Sequence, residues 1–155
     1  MAPDDLLAEL RFLAGTWRGE GRGEYPTVEG FRYGEECRFT IAPKPFLVYV
    51  QATRDPASGE ALHAETGYWR PAGAGRLEAT IVHGNGWVEI AAGTVAGGVV
   101  EVASTAMVGT PTAEDDVTAL RRRIEVDGDV LRYTLDMAAC GHPLVRHLEA
   151  ELRRA

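Results

Sequence analysis

Gly15-Thr16-Trp17-Arg18-Gly19-Glu20-Gly21 follows a short leucine-rich segment near the N-terminus. Residues 15, 17, 19 and 21 share one face of an extended strand, and all of them except Trp17 are glycines. A strand face without side chains lets another element or a ligand approach closely, while Trp17 anchors the chain that leads in. A tight bend in a β-protein is the other reading, and spacing alone does not exclude it.

Upstream, Pro3 to Leu13 reads as one short helix. Asp4 and Asp5 suit its positive N-terminal end, and Leu6, Leu7, Leu10 and Leu13 repeat at roughly helical spacing. Downstream, short alternating segments are broken by turn clusters. Arg38 to Gln51 is strand-rich but interrupted by Pro43-Lys44-Pro45. Turns at Asp55–Gly59, Pro71–Gly75 and Gly84-Asn85-Gly86 separate His63–Arg70, Leu77–His83 and Trp87–Ile90. Gly97-Gly98 joins Gly93–Ala96 to Val99–Ser104 as a tight hairpin. Asp127-Gly128 likewise joins Arg121–Val126 to Val130–Met137, with type I′ geometry expected. The pattern predicts an all-β chain: an antiparallel up-and-down barrel of about ten strands with a short N-terminal helix. Closure removes the sheet edges and leaves room inside for a small ligand. Phe39, Val48, Leu77, Ile81, Leu131, Tyr133 and Leu135 are its expected apolar walls.

Pro143 to Arg154 fits two patterns. Leu144, Leu148 and Leu152 lie four apart and Glu149 pairs with Arg153, as in a helix. The same residues alternate Leu148, Ala150, Leu152 against His147, Glu149, Glu151, as in a strand.

The 155 residues suit a single domain spanning 1–155, and 45% apolar with 25% charged residues is globular composition. A formal net charge of −7 argues against nucleic acid and anionic membrane as partners, since both select a basic face. Lys44 is the only lysine, so an anionic ligand group would be met by Arg, by Lys44, by hydroxyls or by backbone N–H groups. Cys37 and Cys140 lack metal-type spacing, and Met1–Asp5 has no apolar export segment behind it. Reduced thiols in a cytoplasmic protein are expected.

Phosphate-loop, zincin and nucleophile-elbow motifs are absent from the sequence. Glu35-Glu36 and Asp115-Asp116 read as solvated charge rather than as an acid–base pair. His63 suits a surface strand or a hydrogen-bonded rim, and His142 a turn. His83 shares an alternation face with Leu77, Ala79 and Ile81 and could point inward, most simply as a satisfied core histidine.

Gly-x-Trp-x-Gly-x-Gly at 15–21, Tyr25-Pro26-Thr27, His63–Arg70 and the run Met137 to Leu148 together resemble the nitrobindin family of small, lipocalin-like haem barrels. The similarity is collinear over nearly the whole chain. It implies that Pro143–Arg154 is the closing strand and that His147 is the axial ligand of one haem b per chain. The other ring nitrogen would be held by a carbonyl, a carboxylate or water. By the same matching Thr27 contacts haem, its hydroxyl placed near a propionate. The resemblance further implies nitric-oxide binding and isomerisation of peroxynitrite to nitrate by ferric haem, and leaves a homodimer open. Two departures stand out. Glu114-Asp115-Asp116 occupies a loop where relatives often carry Lys, and His83 stands where a Gln-like residue is expected.

The rival reading is a non-enzymatic carrier of fatty acids or other apolar molecules, with Arg121, Arg123 or Arg132 meeting a carboxylate. A haem or nitric-oxide sensor without turnover is a third.

Overall fold

In a computed structural model describing residues 6–155, ten antiparallel strands close into one barrel. They are β1 (Gly15–Tyr25), β2 (Val28–Ile41), β3 (Leu47–Arg54), β4 (Ala61–Pro71), β5 (Arg76–His83), β6 (Trp87–Ala96), β7 (Val99–Gly109), β8 (Ala119–Asp127), β9 (Val130–Ala138) and β10 (Val145–Arg154). Consecutive strands pair, and β10 closes the ring against β1. The segment with two patterns is therefore a strand. Pairing along both edges of β10 outweighs its local helical spacing, because closure satisfies a whole row of backbone groups.

Alternation sets which side chains face inward. Along β5, Leu77, Ala79, Ile81 and His83 are buried and their neighbours exposed. On β3 the buried set is Leu47, Tyr49, Gln51 and Thr53, so Val48 is not a wall of the interior as expected: it lies one residue out of phase. Phe39, Leu77, Ile81, Leu131 and Leu135 are buried as expected, and Tyr133 packs beside them, partly buried. Trp87–Ile90 and Gly93–Ala96 are one continuous strand.

Tight hairpins lie where expected, with one difference. Gly97 and Gly98 both have positive φ (56° and 77°), as a type I′ turn requires. At the other hairpin the loop is Gly128-Asp129, between the paired Asp127 and Val130, and Gly128 alone has positive φ (59°). That pattern belongs to type II′, because Asp129 keeps an ordinary negative φ.

The N-terminal helix is a short 3-10 turn, Ala8–Leu13; Pro3, Asp4 and Asp5 lie outside the described residues. Leu7, Leu10 and Leu13 are buried with Trp17, Phe39, Leu47, Trp69 and Leu77, so the helix plugs one end of the barrel. Trp17 Nε1 donates to the Leu13 carbonyl at 2.9 Å, and the Arg154 guanidinium sits 4.1 Å over its ring. Trp17 thus ties the plug to the first strand, the anchoring its position suggested. Among the described residues no helix is long and apolar enough to cross a membrane.

The bare face of β1 admits other parts of the barrel. A Cβ on Gly19 would run into the backbone of Glu151 and Leu152, and one on Gly21 into the Tyr33 ring. Gly15 has a φ of 135°, which disfavours any side chain there. Close approach is the correct reading, and strands rather than a ligand do the approaching.

Candidate functional site

The end opposite the plug opens into a cavity of about 400 Å³, within the range of small-molecule and cofactor sites. Its walls differ in chemistry. Leu120, Leu135, Met137, Leu148, Trp87 and Met107 make one side apolar. Gln51, Thr53, His63, Glu65 and His83, on β3 to β5, make the other polar.

His147 lines the cavity from β10, half way round the ring from β5. It sits at a β-bulge: Arg146 pairs with Asp136 and Leu148 with Leu135, which leaves His147 unpaired between them. A second irregularity faces it on β1, between Gly23 and Tyr25. The carbonyl of Glu24, the residue at that irregularity, accepts a hydrogen bond from His147 Nδ1 at 2.9 Å. A bulge re-aims a side chain out of the strand's alternation, and here the facing irregularity supplies the acceptor that fixes the ring. With Nδ1 donating, neutral His147 keeps its Nε2 lone pair for another partner. Burial lowers the His147 pKa, and the Glu24 carbonyl only partly offsets that, so the neutral form is favoured. Tyr25 and Phe31 hold the imidazole edge-on, at centroid distances of 5.4 and 6.3 Å. Tyr25 is itself pinned: its hydroxyl accepts from Ala139 N at 2.8 Å and lies 3.1 Å from the Met137 carbonyl.

The other site expectations fall at various depths. Thr27 is exposed on the turn between β1 and β2, next to Val28, which lines the cavity mouth. Gly15, Trp17, Gly19 and Gly21 shape the barrel and line no part of the cavity. His142 lies in the loop before β10, edge-on to Tyr25. Asp115 from the acidic loop reaches the mouth, and Arg32, ion-paired with Glu20 at 2.8 Å, is the only arginine or lysine lining it among the described residues. Lys44 sits in the β2–β3 turn at the plugged end, away from the cavity. Arg121, Arg123 and Arg132 are not internal: they make ion pairs on the outer surface with Asp136, Glu101 and Glu125, and Glu151 respectively. The arginine that points inward is Arg122, one residue over, on the face shared by Leu120 and Ile124.

Sequence reasoning missed what surrounds Arg122. Glu65 and Glu89 are buried against it, with N–O distances of 3.0 and 2.8 Å. Burial raises both carboxyls, but Arg122 and the neighbouring histidines outweigh it and hold them below the ordinary value. His83 donates from Nε2 to Glu89 at 2.9 Å, so it is a satisfied inward-facing histidine. His63 is the hydrogen-bonded rim residue, 3.1 Å from Glu65.

Glu35 is not solvated charge. It is 5% exposed and accepts from Tyr133 and from Gln51 Nε2. Burial pushes its pKa up to about 7 against those two hydrogen bonds, whereas its neighbour Glu36 faces out to Arg18 and Arg38. Adjacent strand residues point to opposite faces, so the pair divides. The signal was present in the phase of Tyr33, Cys37 and Phe39, all buried on the face of Glu35.

Residues 6–154 match the model of the THAP4-like, heme-binding beta-barrel domain. The chain belongs to this family. The likeness to nitrobindins carried by its motifs therefore holds over the whole barrel. A peroxynitrite isomerase 2 of Mycobacterium avium (strain 104) is 50% identical over 159 residues, covering 98% of each chain. A peroxynitrite isomerase 1 of Mycolicibacterium paratuberculosis is 48% identical with the same coverage. The crystal structure of Rv2717c from M. tuberculosis matches with a TM-score of 0.91 and 44% identity, covering 100% of this chain and 99% of that one.

What a haem-binding barrel must provide is a fixed neutral axial nitrogen, apolar walls for a macrocycle, and polar groups at the mouth for its carboxylates. His147 and the wall of Leu135, Met137 and Leu148 fit the first two requirements; at the mouth stands Arg32, ion-paired with Glu20 on the outer face. Gln51 Oε1 and Asn85 Oδ1 add cavity-lining acceptors that are buried without a hydrogen-bond partner among the described residues.

Proposed function

We propose that this chain binds one haem b through His147 and, in the ferric state, isomerises peroxynitrite to nitrate. Nitric oxide would be a further ligand of the same site. The observation that carries the proposal is the His147–Glu24 hydrogen bond, which fixes the tautomer that an axial ligand must have. Relatives named peroxynitrite isomerase, matching over nearly the full length, support the reaction class.

Bound haem would supply a Lewis-acidic, redox-active iron with an open coordination position, the chemistry that splits a peroxo bond. The chain supplies position and surroundings. His147 holds one side of the group, while Leu135, Met137 and Leu148 exclude water from it. Arg32 at the mouth would have to leave its exposed ion pair with Glu20 (2.8 Å) to meet a carboxylate, and Thr27, next to Val28 of the mouth, would contribute a hydroxyl there. Asp55 and Asp115 at the same mouth oppose anions, so entry of peroxynitrite gains nothing from the overall charge. Cytoplasmic residence belongs to the same proposal; Cys37 and Cys140 are both free thiols.

Peroxynitrite decay and nitrate yield, measured with ferric holoprotein, apoprotein and cyanide-blocked holoprotein, test the reaction. Faster decay with less nitration of an added phenol is expected only from the unblocked holoprotein. Equal protection by the blocked form would leave a haem-binding protein without this activity. The carrier reading loses the three arginines expected for it, which face outward, while inward-pointing Arg122 is already committed to Glu65 and Glu89.

A further inference from the structure

We propose that the polar wall of the cavity is a binding site for one divalent transition-metal ion of the zinc type, formed by His63, Glu65 and His83. Its ligands lie on β4 and β5, across the barrel from His147, so it does not depend on the haem reading.

Strand geometry brings the three together. His63 and Glu65 are two apart on β4 and share a face, and His83 pairs directly with Glu65 from β5. Three donor atoms converge as a result. His63 Nε2 is 3.1 Å from Glu65 Oε1, His83 Nδ1 is 3.3 Å from His63 Nε2, and His83 Nδ1 is 3.6 Å from Glu65 Oε1. Ligands about 2.0–2.1 Å from a tetrahedral ion are separated by roughly 3.3–3.4 Å, and this triangle brackets that value. An ion at that distance from all three corners lies roughly 0.7 Å off their plane, which leaves a fourth position for water or an anion.

Two of the three donors, His83 and Glu65, are also oriented from behind. His83 Nε2 is committed to Glu89 at 2.9 Å, so the neutral ring turns the lone pair of Nδ1 toward the triangle. Glu65 Oε2 is taken by Arg122 at 3.0 Å and by the Tyr49 hydroxyl at 2.9 Å, which leaves Oε1 for the triangle. Glu65, Glu89 and Arg122 together carry one net negative charge when ionised, which attracts a cation; a divalent ion bound there leaves a net charge of +1, suited to an anion in the fourth position. Two imidazoles and a carboxylate with one open position suit zinc, cobalt and their neighbours rather than calcium or magnesium, which prefer oxygen ligands. A shared proton on His63 Nε2 is the competing way to fill the triangle.

Cobalt(II) titration of the full-length, haem-free chain distinguishes the two. The expected result is one equivalent bound, with the intense visible ligand-field absorption of a four-coordinate site, displaced by zinc. His63→Ala and His83→Gln should each weaken binding at least about tenfold, the Gln keeping a donor for Glu89. His147→Ala should leave the cobalt spectrum unchanged. His63 is partly exposed, so its variant keeps the test standing if His83→Gln fails to fold. Absence of a four-coordinate spectrum in the wild type would mean that a proton alone fills the triangle and would overturn the site. So would a spectrum that survives both variants, or one lost in His147→Ala.

Discussion

At His147 a single hydrogen bond decides what the ring can do. Its Nδ1 proton goes to the Glu24 carbonyl, and burial keeps the second nitrogen unprotonated where an exposed histidine would begin to charge. In the proposed holoprotein, acid would compete with iron for Nε2. Because the His147 pKa is lowered, the axial bond should persist as pH falls through the ordinary histidine value of 6.5, as an acid titration of the absorption spectrum would register. Loss of the bond above that value would contradict this orientation of the ring. Glu35 titrates in the opposite sense. Its folded pKa of about 7 lies above the ordinary 4.5, so the native state retains a proton that the unfolded chain has released. The stability it contributes is complete below pH 4.5 and is lost as pH rises through 7. Glu35→Gln cannot ionise, and should gain on the order of 2–3 kcal/mol over the wild type at pH 8 relative to pH 4. Urea midpoints of both proteins at the two pH values provide the check.

Among the elements, β1 is constrained by close packing at two of its glycines. Gly19 is in contact with β10 backbone that cannot swing away, whereas Gly21 faces a Tyr33 ring whose hydroxyl lies 2.8 Å from that of Tyr133. Gly19→Ala should therefore cost about 3 kcal/mol, and Gly21→Ala less, as ring movement relieves part of the clash. Equal costs in denaturant unfolding would mean that the two contacts yield alike. Barrel, strand count and hairpins were legible because alternation and turn residues are local signals. The last strand was not, since Leu144, Leu148 and Leu152 suit a helix equally well and only pairing with β1 and β9 decides. The bulge at His147 has no signature in composition. It appears only as a mismatch between two registers, and it is what aims the ring. Phase was the finer failure: one step along β8 separates surface Arg121 and Arg123 from buried Arg122, and one step along β2 separates Glu36 from Glu35.

The whole molecule divides along its axis. One end is filled by the 3-10 turn and the large apolar side chains around Trp17 and Trp69; the other stays open, with the apolar and polar walls facing each other. Stability should reside mainly in the filled end. Leu10→Ala, at a fully buried position of the plug, should cost about 2–5 kcal/mol and lower the urea midpoint. Leu148→Ala at the open end should cost less, because its neighbours already border a cavity. The reverse order would place the stabilising core at the wrong end. The proposed function rests on the open end, and there on His147. Haemin titration followed by absorption, on the wild type beside His147→Ala and His142→Ala, tests this most directly. Wild type and His142→Ala should saturate at one equivalent with the Soret band of histidine-ligated ferric haem, and His147→Ala should give only the spectrum of unligated haemin. The same band in His147→Ala, or no such band in the wild type, would contradict the assignment of His147 as the axial ligand.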